Sequence, residues 1–545
     1  MNALSQPQWI TALCRSDAFD HPVHCFELLE THISWVILTG DYAYKIKKPL
    51  DLGFLDFTQL AARKHFCDEE LHLNRRFAPQ LYLDVVTIRG SEASPGVFGS
   101  GSDSGNVIDY AVKMREFPQR ALASRLLPDG AINSAMLDAL AVKIAAFHGK
   151  AGSAARGSPY GTQEAVITPA RENIAQLEPL LPDAESRAQL ALLLAWTDAE
   201  YDKHWTLFGE RQAEGFVREC HGDLHLGNIV LIDGELMPFD CIEFNPSFRR
   251  IDVMNEVAFL VMDFMDRARE AMGWRFLNAY LEATGDYAGL RVLRFYLVYR
   301  AMVRAKVHGI RAQQAANDST ESARLLAVCR GYIALAIRFT HMPNPLLIAM
   351  HGLSGSGKTV VSQQLVETLG AIRLRSDVER KRQHKLPPDH RGDGVLDAGI
   401  YSGEATHALY AHMMHTARIG MAAGYCVVID AAFLKHWQRA LAMDLAHRCH
   451  VPLMIVACQS PVADLAARVE ARAKTATDAS DAGPVVLARQ QEVAEALEPE
   501  ERALSVFIDT TQKDLSVVLR AIELNIAGLR SAAQVSDYKN INYNN

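Results

Sequence analysis

No Cys-x-x-Cys pair occurs anywhere in the 545-residue sequence, and its nine cysteines are scattered and odd in number. That spacing excludes the disulfide framework of a small secreted scaffold, so reduced core thiols in a cytosol are expected rather than metal ligands. No apolar run approaches the ~18–20 residues of a membrane span. The opening MNALSQPQWITALCRSDAF lacks the basic stretch and apolar core of a secretory signal. Excess positive charge is missing as well. Lys and Arg number 56 against 64 Asp and Glu, and the net charge of −8 argues against a coat for nucleic acid or anionic membrane. A local basic pocket remains compatible with it. No internal repeat is present. What remains is an ordinary globular composition, 49% hydrophobic and 22% charged. A chain this long exceeds one hydrophobic core, so two or more domains are expected.

The opening reads as helical up to about Leu29. HISWVILTGDYAYKIKK, His32 to Lys48, then reads as two strands joined by a turn near Gly40-Asp41. Leu60 to Phe77 has the period of a charged helix. Leu81 to Arg89 and Asn106 to Arg115 read as further strands. ASPGVFGSGSDSGN between them reads as a Gly/Ser loop. Helical pattern dominates from Ser134, with a flexible stretch GKAGSAARGSPYG, and again from Asp252 to about Phe339. Met342-Pro343-Asn344-Pro345 marks the clearest boundary, because two closely spaced prolines stop a helix. Beyond it, apolar strands alternate with helices, the pattern of a parallel sheet with crossover connections. The polar end, residues 531–545, is expected to be disordered.

Two constellations carry chemistry. The first is His221-Gly222-Asp223-Leu224-His225-Leu226-Gly227-Asn228, followed by strand Ile229–Ile232, a two-residue Asp233-Gly234 turn, a returning strand and Asp240. Phosphoryl transfer wants a carboxylate at the acceptor hydroxyl and an amide oxygen on a metal; Asp223 and Asn228 supply these types. The hairpin returns Asp240 beside Asn228, so the two oxygen donors make a candidate magnesium site. In Ala43-Tyr44-Lys45-Ile46-Lys47, the two lysines share one strand face, and one of Lys45 and Lys47 is expected to reach the α/β-phosphates. Its carboxylate partner is expected on the next helix at Glu69 or Glu70, with Glu70 preferred. The plainer alternative for either lysine is a solvated strand face.

These residues resemble the aminoglycoside phosphotransferase and choline kinase-like family, relatives of the protein kinases, over roughly residues 30 to 335. The resemblance implies that Asp223 is the catalytic base, that Asn228 and Asp240 hold magnesium, and that Tyr110 to Phe117 lies at the adenine-binding hinge. One departure stands out. The turn between the first two expected strands is only Thr39-Gly40-Asp41, with no G-x-G-x-x-G loop.

The second constellation, Gly352-Leu353-Ser354-Gly355-Ser356-Gly357-Lys358-Thr359, fits G-x-x-x-x-G-K-T between an apolar strand and a helix. Glycines let backbone N–H groups wrap phosphates, and the helix N-terminus adds partial positive charge. Lys358 is expected at the β/γ-phosphates and Thr359 on magnesium. The rest of this half resembles the small P-loop kinases (gluconate kinase, chloramphenicol phosphotransferase, polynucleotide kinase, adenylate-kinase relatives) over about 345 to 525. That resemblance implies that Asp377 contacts or activates the acceptor hydroxyl. Asp430 would be the acid ending the Walker-B-like strand, and Arg468 and Arg472 lid arginines that neutralise the transferring phosphate. Asp509 and Thr510 would lie near the base. The basic run Arg373, Arg375, Arg380, Lys381, Arg382, Lys385 reads either as an anionic-acceptor site or as a solvated helix.

The whole chain resembles bacterial proteins called bifunctional aminoglycoside phosphotransferase/ATP-binding proteins. The expected fold is an α+β protein-kinase-like domain, 1–340, joined to an α/β P-loop domain in three layers, 345–530. The first divides into a small lobe of about 1–115 and a helical lobe of about 116–340. The expected function is that of a cytoplasmic bifunctional phosphotransferase using ATP and Mg2+ on small-molecule hydroxyl acceptors. Nucleic-acid ends are not favoured, and no membrane partner is expected. Two alternatives stand beside this: a chain active only at the P-loop, and a nucleotide-dependent regulator.

Overall fold

The computed structural model describes residues 6–53, 55–99, 106–155, 157–341, 345–387, 390, 399–475, 483–512, 520 and 524, apart from the side chains of 472–475. The expected tail and residues 342–344 of the Pro-rich boundary lie outside them. The described chain forms two units, Met1–Glu172 with Trp205–Asp263, and Asn173–His204 with Phe264–Asn545.

The first unit is built on an antiparallel sheet of β1 (Glu27–Glu30), β2 (Ser34–Leu38), β3 (Tyr42–Lys47), β4 (Tyr82–Ser91), β5 (Ser94–Phe98) and β6 (Val107–Arg115), in the order β1-β2-β3-β6-β4-β5. Alternation along β3 sorts its side chains onto two faces. Tyr44 and Ile46 join Trp9, Ile10, Leu13 and Trp35 in one apolar cluster. Ala43 faces the opposite cluster, with Cys67 and Leu73 of the Leu60–Asn74 helix. Lys45 and Lys47 share the Ala43 face, so the sheet aims both at that helix.

Two expectations change here. The opening is helical only over Gln8–Leu13, and Glu27–Glu30 is a strand. The turn between the first two strands is therefore Thr31-His32-Ile33, held by Thr31 Oγ1, which donates to Ser34 O at 3.0 Å and accepts from Ser34 N at 2.9 Å. Thr39-Gly40 belongs to the β2–β3 turn, whose N–H groups donate to Glu116 Oε2 at 3.0 and 2.8 Å. In the expected Gly/Ser loop, Ser94–Phe98 forms edge strand β5; residues 100–105 lie outside the described chain.

After the Ser134–Lys150 helix, β7 (Val217–Glu219) leads into the loop of residues 221–228. Strands β8 (Ile229–Ile232) and β9 (Glu235–Pro238) form the expected hairpin. Asp233 and Gly234 both have positive φ, 50° and 82°, as a type I′ turn requires. Strand β10 (Arg250–Asp252) pairs with β7, and the Val253–Asp266 helix follows.

The second unit holds a five-stranded parallel sheet, β11 (Leu347–His351), β12 (Ile372–Arg375), β13 (Val427–Asp430), β14 (Leu453–Gln459) and β15 (Ser505–Asp509), ordered β12-β13-β11-β14-β15. Strands this apolar are buried on both faces: Ile348, Met350, Val428, Met454 and Val456 pack with Val361 and Leu365 of the Lys358–Leu369 helix. The compact units are not divided at Pro343. The Glu270–Thr284 helix belongs with this sheet. Asn278 donates to Ala371 O at 3.0 Å and accepts from Arg373 N at 2.7 Å, and Glu282 takes the Arg373 guanidinium at 2.7 Å. The fold is thus a protein-kinase-like α+β half followed by an α/β P-loop half.

Candidate active sites

In the first unit, Lys45 Nζ lies 2.8 Å from Glu70 Oε1 and also bonds the Asp240 carboxylate. Lys47 Nζ lies 2.7 Å from Glu70 Oε2 and also bonds Glu243. Glu70, not Glu69, is the shared partner. Glu69 instead lies 3.4 Å from Arg249. The pairs differ in exposure: the Lys47 side chain is wholly buried, while Lys45 faces Asp240, whose side chain is 41% exposed. Lys45 is therefore the lysine at the mouth of the site. Burial disfavours its charge, but Asp240, Glu70 and Glu243 outweigh burial and hold the ammonium well above the ordinary lysine range. Burial would likewise raise Glu70, yet the two lysines bring it down to about 2.

Asp240 sits at φ 65° directly after the hairpin. Its backbone N–H donates to Tyr82 Oη at 3.0 Å, and the next amide, Cys241 N, donates to Asn74 Oδ1 at 2.9 Å. Phe239 N donates to Asn228 O at 3.0 Å, which sets Asp240 beside Asn228 as expected. Asn228 Nδ2 donates to Asp223 Oδ2 at 2.9 Å and to Asp223 O at 3.1 Å. That orientation makes Asn228 Oδ1 the atom available to a cation. Asn228 Oδ1 and the Asp240 carboxylate are hard oxygen donors, so the donor set fits Mg2+.

His225 Nδ1 accepts from Gly227 N at 3.0 Å, so in its neutral form Nε2 carries the proton and faces Asp223 Oδ2 at 3.4 Å. Glu256, on the Val253–Asp266 helix, holds the start of the loop. It accepts from His221 N at 3.0 Å and Gly222 N at 2.7 Å, and lies 3.1 Å from His148 Nε2. Burial would raise its pKa, but His148 and His221 hold the carboxyl at about 2. Burial also lowers His221, despite nearby Glu256 and Asp223; its Nε2 donates to Phe239 O at 2.8 Å. Gly222 has φ +90°, and a Cβ there would meet Phe248 O at 2.8 Å, so glycine is required. Glu256, Glu243 and Tyr82 escape sequence reasoning because each acts through tertiary contact alone.

In the second unit, the P-loop joins β11 to the Lys358–Leu369 helix. Gly352, Gly355 and Gly357 have φ of 144°, 82° and 83°. Lys358 Nζ curls over the loop to donate to Gly352 O at 2.9 Å and Leu353 O at 2.8 Å. Ser356 is buried, and its Oγ is among the buried polar atoms without a partner in the protein. An orphaned hydroxyl inside a cradle of backbone N–H groups suits a phosphate ligand. Thr359 opens the helix beside Lys358. Asp430 ends β13 and accepts from Ser362 Oγ at 2.9 Å, one turn beyond Thr359. Asp377 stands in the first turn of the Ser376–Gln383 helix, next to the end of β12.

Arg468 reaches the P-loop from the Val462–Thr475 helix, donating to Gly355 O at 3.2 Å and to Thr510 O at 2.9 Å. The Arg472 side chain lies outside the described part of the structure. Asp509 accepts from Thr511 N at 2.9 Å, so Thr510 rather than Asp509 contacts the loop arginine. Much of the basic run is engaged structurally: Arg373 and Arg375 on Glu282, Arg382 on Glu379, and Arg380 on Ile400 O at 2.6 Å. Among the described residues no helix is long and apolar enough to cross a membrane.

Residues 347–497 match the family described as AAA domain. The uncharacterized protein Rv2004c of Mycobacterium tuberculosis is 30% identical over 474 residues, covering 86% of this chain and 92% of that protein. The chain belongs to the family of this mycobacterial protein. Among solved structures, a gluconokinase from Sinorhizobium meliloti is 22% identical with a TM-score of 0.25, covering 36% of this chain and 98% of its own. A choline/ethanolamine kinase family protein from Mesorhizobium loti is 12% identical with a TM-score of 0.35, covering 58% and 92%. The chain is an ATP-dependent kinase, and phosphoryl transfer is its general chemistry.

Proposed function

We propose that the chain is a two-site phosphotransferase, each site moving the γ-phosphoryl group of Mg-ATP onto a hydroxyl of a small-molecule acceptor. The modules are 1–340 and 345–530 along the chain. The acceptor oxygen forms a bond to phosphorus as the bond to the β-phosphate oxygen breaks, and the hydroxyl proton passes to a carboxylate. At the first site, Asp223 takes that proton and is oriented by Asn228 and His225. Lys45 grips the α/β-phosphates and is held by Glu70. Asn228 and Asp240 are the residues that would hold Mg2+, which when bound neutralises phosphate charge. At the second site, Lys358 and the loop amides grip the phosphates, Thr359 and Asp430 would hold the metal, and Asp377 takes the proton. Arg468 neutralises charge on the transferring group.

One observation carries the reading. Glu70 and Asp240, the latter 195 residues from Lys45 in sequence, converge on the Lys45 ammonium. This convergence sits beside the Asp223–Asn228 contact, an arrangement that stability alone does not require.

The test uses the full chain and a library of hydroxyl compounds, read by ADP release. Asp223→Asn is expected to lower transfer to one acceptor set by about 10²–10⁴-fold, the range for loss of a general base. Lys358→Ala is expected to abolish transfer to the other. A double variant that still releases ADP at the wild-type rate refutes both assignments.

A further inference from the structure

Three consecutive P-loop residues are touched by the Val462–Thr475 and Pro484–Val493 helices. Leu353 packs against the cluster of Leu465, Val469 and Leu487. Gly355 lies so close to the first helix that a Cβ would come within 2.7 Å of Leu465 O and 3.1 Å of Val469 Cγ2. Arg468 adds its bond to Gly355 O. Between these two, Ser354 N donates to Gln490 Oε1 at 2.8 Å.

The Ser354 bond differs in kind from the packing around it. P-loop amides are the groups that cradle phosphate, and an acceptor 2.8 Å from one of them stands where a phosphate oxygen would stand. The position within the cradle can be fixed further. Lys358 Nζ, the group expected at the β/γ-phosphates, bonds the carbonyl of Leu353, the residue before Ser354. Ser354 therefore marks the terminal-phosphate end of the loop. Gln490 also suits the position chemically. Its amide is neutral, so it does not repel phosphate as a carboxylate would. It carries two N–H donors beside the oxygen, so a rotation of the amide turns an acceptor for the loop into a donor to a phosphoryl oxygen.

We propose that Gln490 is a positioning residue of the second site, holding Ser354 N–H through its oxygen and giving an N–H to the terminal phosphoryl group when that group takes the Ser354 amide. It thereby makes the site discriminate nucleoside triphosphate from diphosphate. This rests on the P-loop reading above. The substitution that separates roles is Gln490→Glu, which keeps size and the acceptor oxygen but adds charge and removes both donors. Gln490→Ala removes the side chain.

The readout is hydrogen exchange of the peptide spanning 352–360 in the full chain, titrated separately with Mg-ATP and Mg-ADP, so nucleotide at the first site does not enter. Gln490→Glu is expected to weaken ATP by about 10-fold or more, from like charge within contact distance, and ADP by less than about 3-fold. Gln490→Ala is expected to bring the two affinities closer together. If both variants keep the wild-type ratio of ATP to ADP affinity, or lose both ligands in parallel, Gln490 only braces the helix and the inference falls. If the wild-type peptide gains protection from neither nucleotide, the P-loop reading fails and takes the inference with it.

Discussion

Glu256→Gln tests whether the Val253–Asp266 helix holds the loop of residues 221–228. The wild-type carboxylate accepts from His221 N and Gly222 N and meets His148 Nε2, all in a fully buried position. Glutamine fits the same space, but its one oxygen replaces only one of the two carboxylate oxygens, and its NH2 is turned toward the donor or donors of the other. At least one charge-assisted bond, worth about 1.5–3 kcal/mol, is lost, and a buried N–H left unsatisfied costs about 1–3 kcal/mol more. The local loss is therefore about 2.5–6 kcal/mol. At about 1.4 kcal/mol per factor of ten, the His221 and Gly222 amides should exchange roughly 10²–10⁴-fold faster, provided they open locally. Hydrogen exchange across residues 216–230 measures this directly. Asp223 follows Gly222, so phosphoryl transfer should fall more than nucleotide binding. Exchange within about 3-fold of wild type would show that these bonds do not hold the loop.

Three further outcomes are expected. Lys47→Met should cost about 3–5 kcal/mol in chemical unfolding, because it leaves buried Glu243 without its lysine and Glu70 with only Lys45, whereas Lys45→Met should mainly weaken Mg-ATP binding at the first site; equal stability losses would contradict the division between them. Burial, then Arg439 and Lys358, hold His351 at about 4 instead of 6.5; the unfolded chain binds that proton first, so this stabilisation is complete above about pH 6.5 and is lost as pH falls toward 4. His351→Gln should flatten that slope in acid unfolding. Asn278→Ala removes two buried bonds to β12 and should destabilise the second unit by about 2–4 kcal/mol, measured as a shift in urea midpoint; an unchanged midpoint would show that the helix does not brace the strand.

The residues with chemistry in their local pattern were legible before the structure. Asp223, Asn228 and Asp240 are tied by loop and hairpin geometry, and the P-loop is a contiguous motif. Period two put Lys45 and Lys47 on one face, but choosing between them needed the burial difference that only the packed sheet creates. The two missed strands of the six-stranded sheet have a common physical cause. Glu27–Glu30 and Ser94–Phe98 are the edges of the six-stranded sheet. An edge tolerates glutamates, Pro95 and Gly96, which in isolation signal a loop. Glu256 and Gln490 lie on helices where one polar residue in a helical pattern carries no sign of its partner. Their roles come from which backbone N–H groups the fold delivers to them.

The Asn278 side chain bears on how this protein can be divided. Strand β12 is an outer strand of the parallel sheet, and an outer strand offers its free N–H and C=O groups to any chain that can pair with it. Asn278 meets the N–H of Arg373 and the C=O of Ala371 with one amide, imitating the next strand's peptide group. The helix that carries it is written before the Pro-rich boundary. A P-loop half cut out at that boundary would leave with its sheet rim uncovered, ready to recruit a second copy of itself. In the intact chain, sequence upstream of the boundary supplies the guard for the rim downstream.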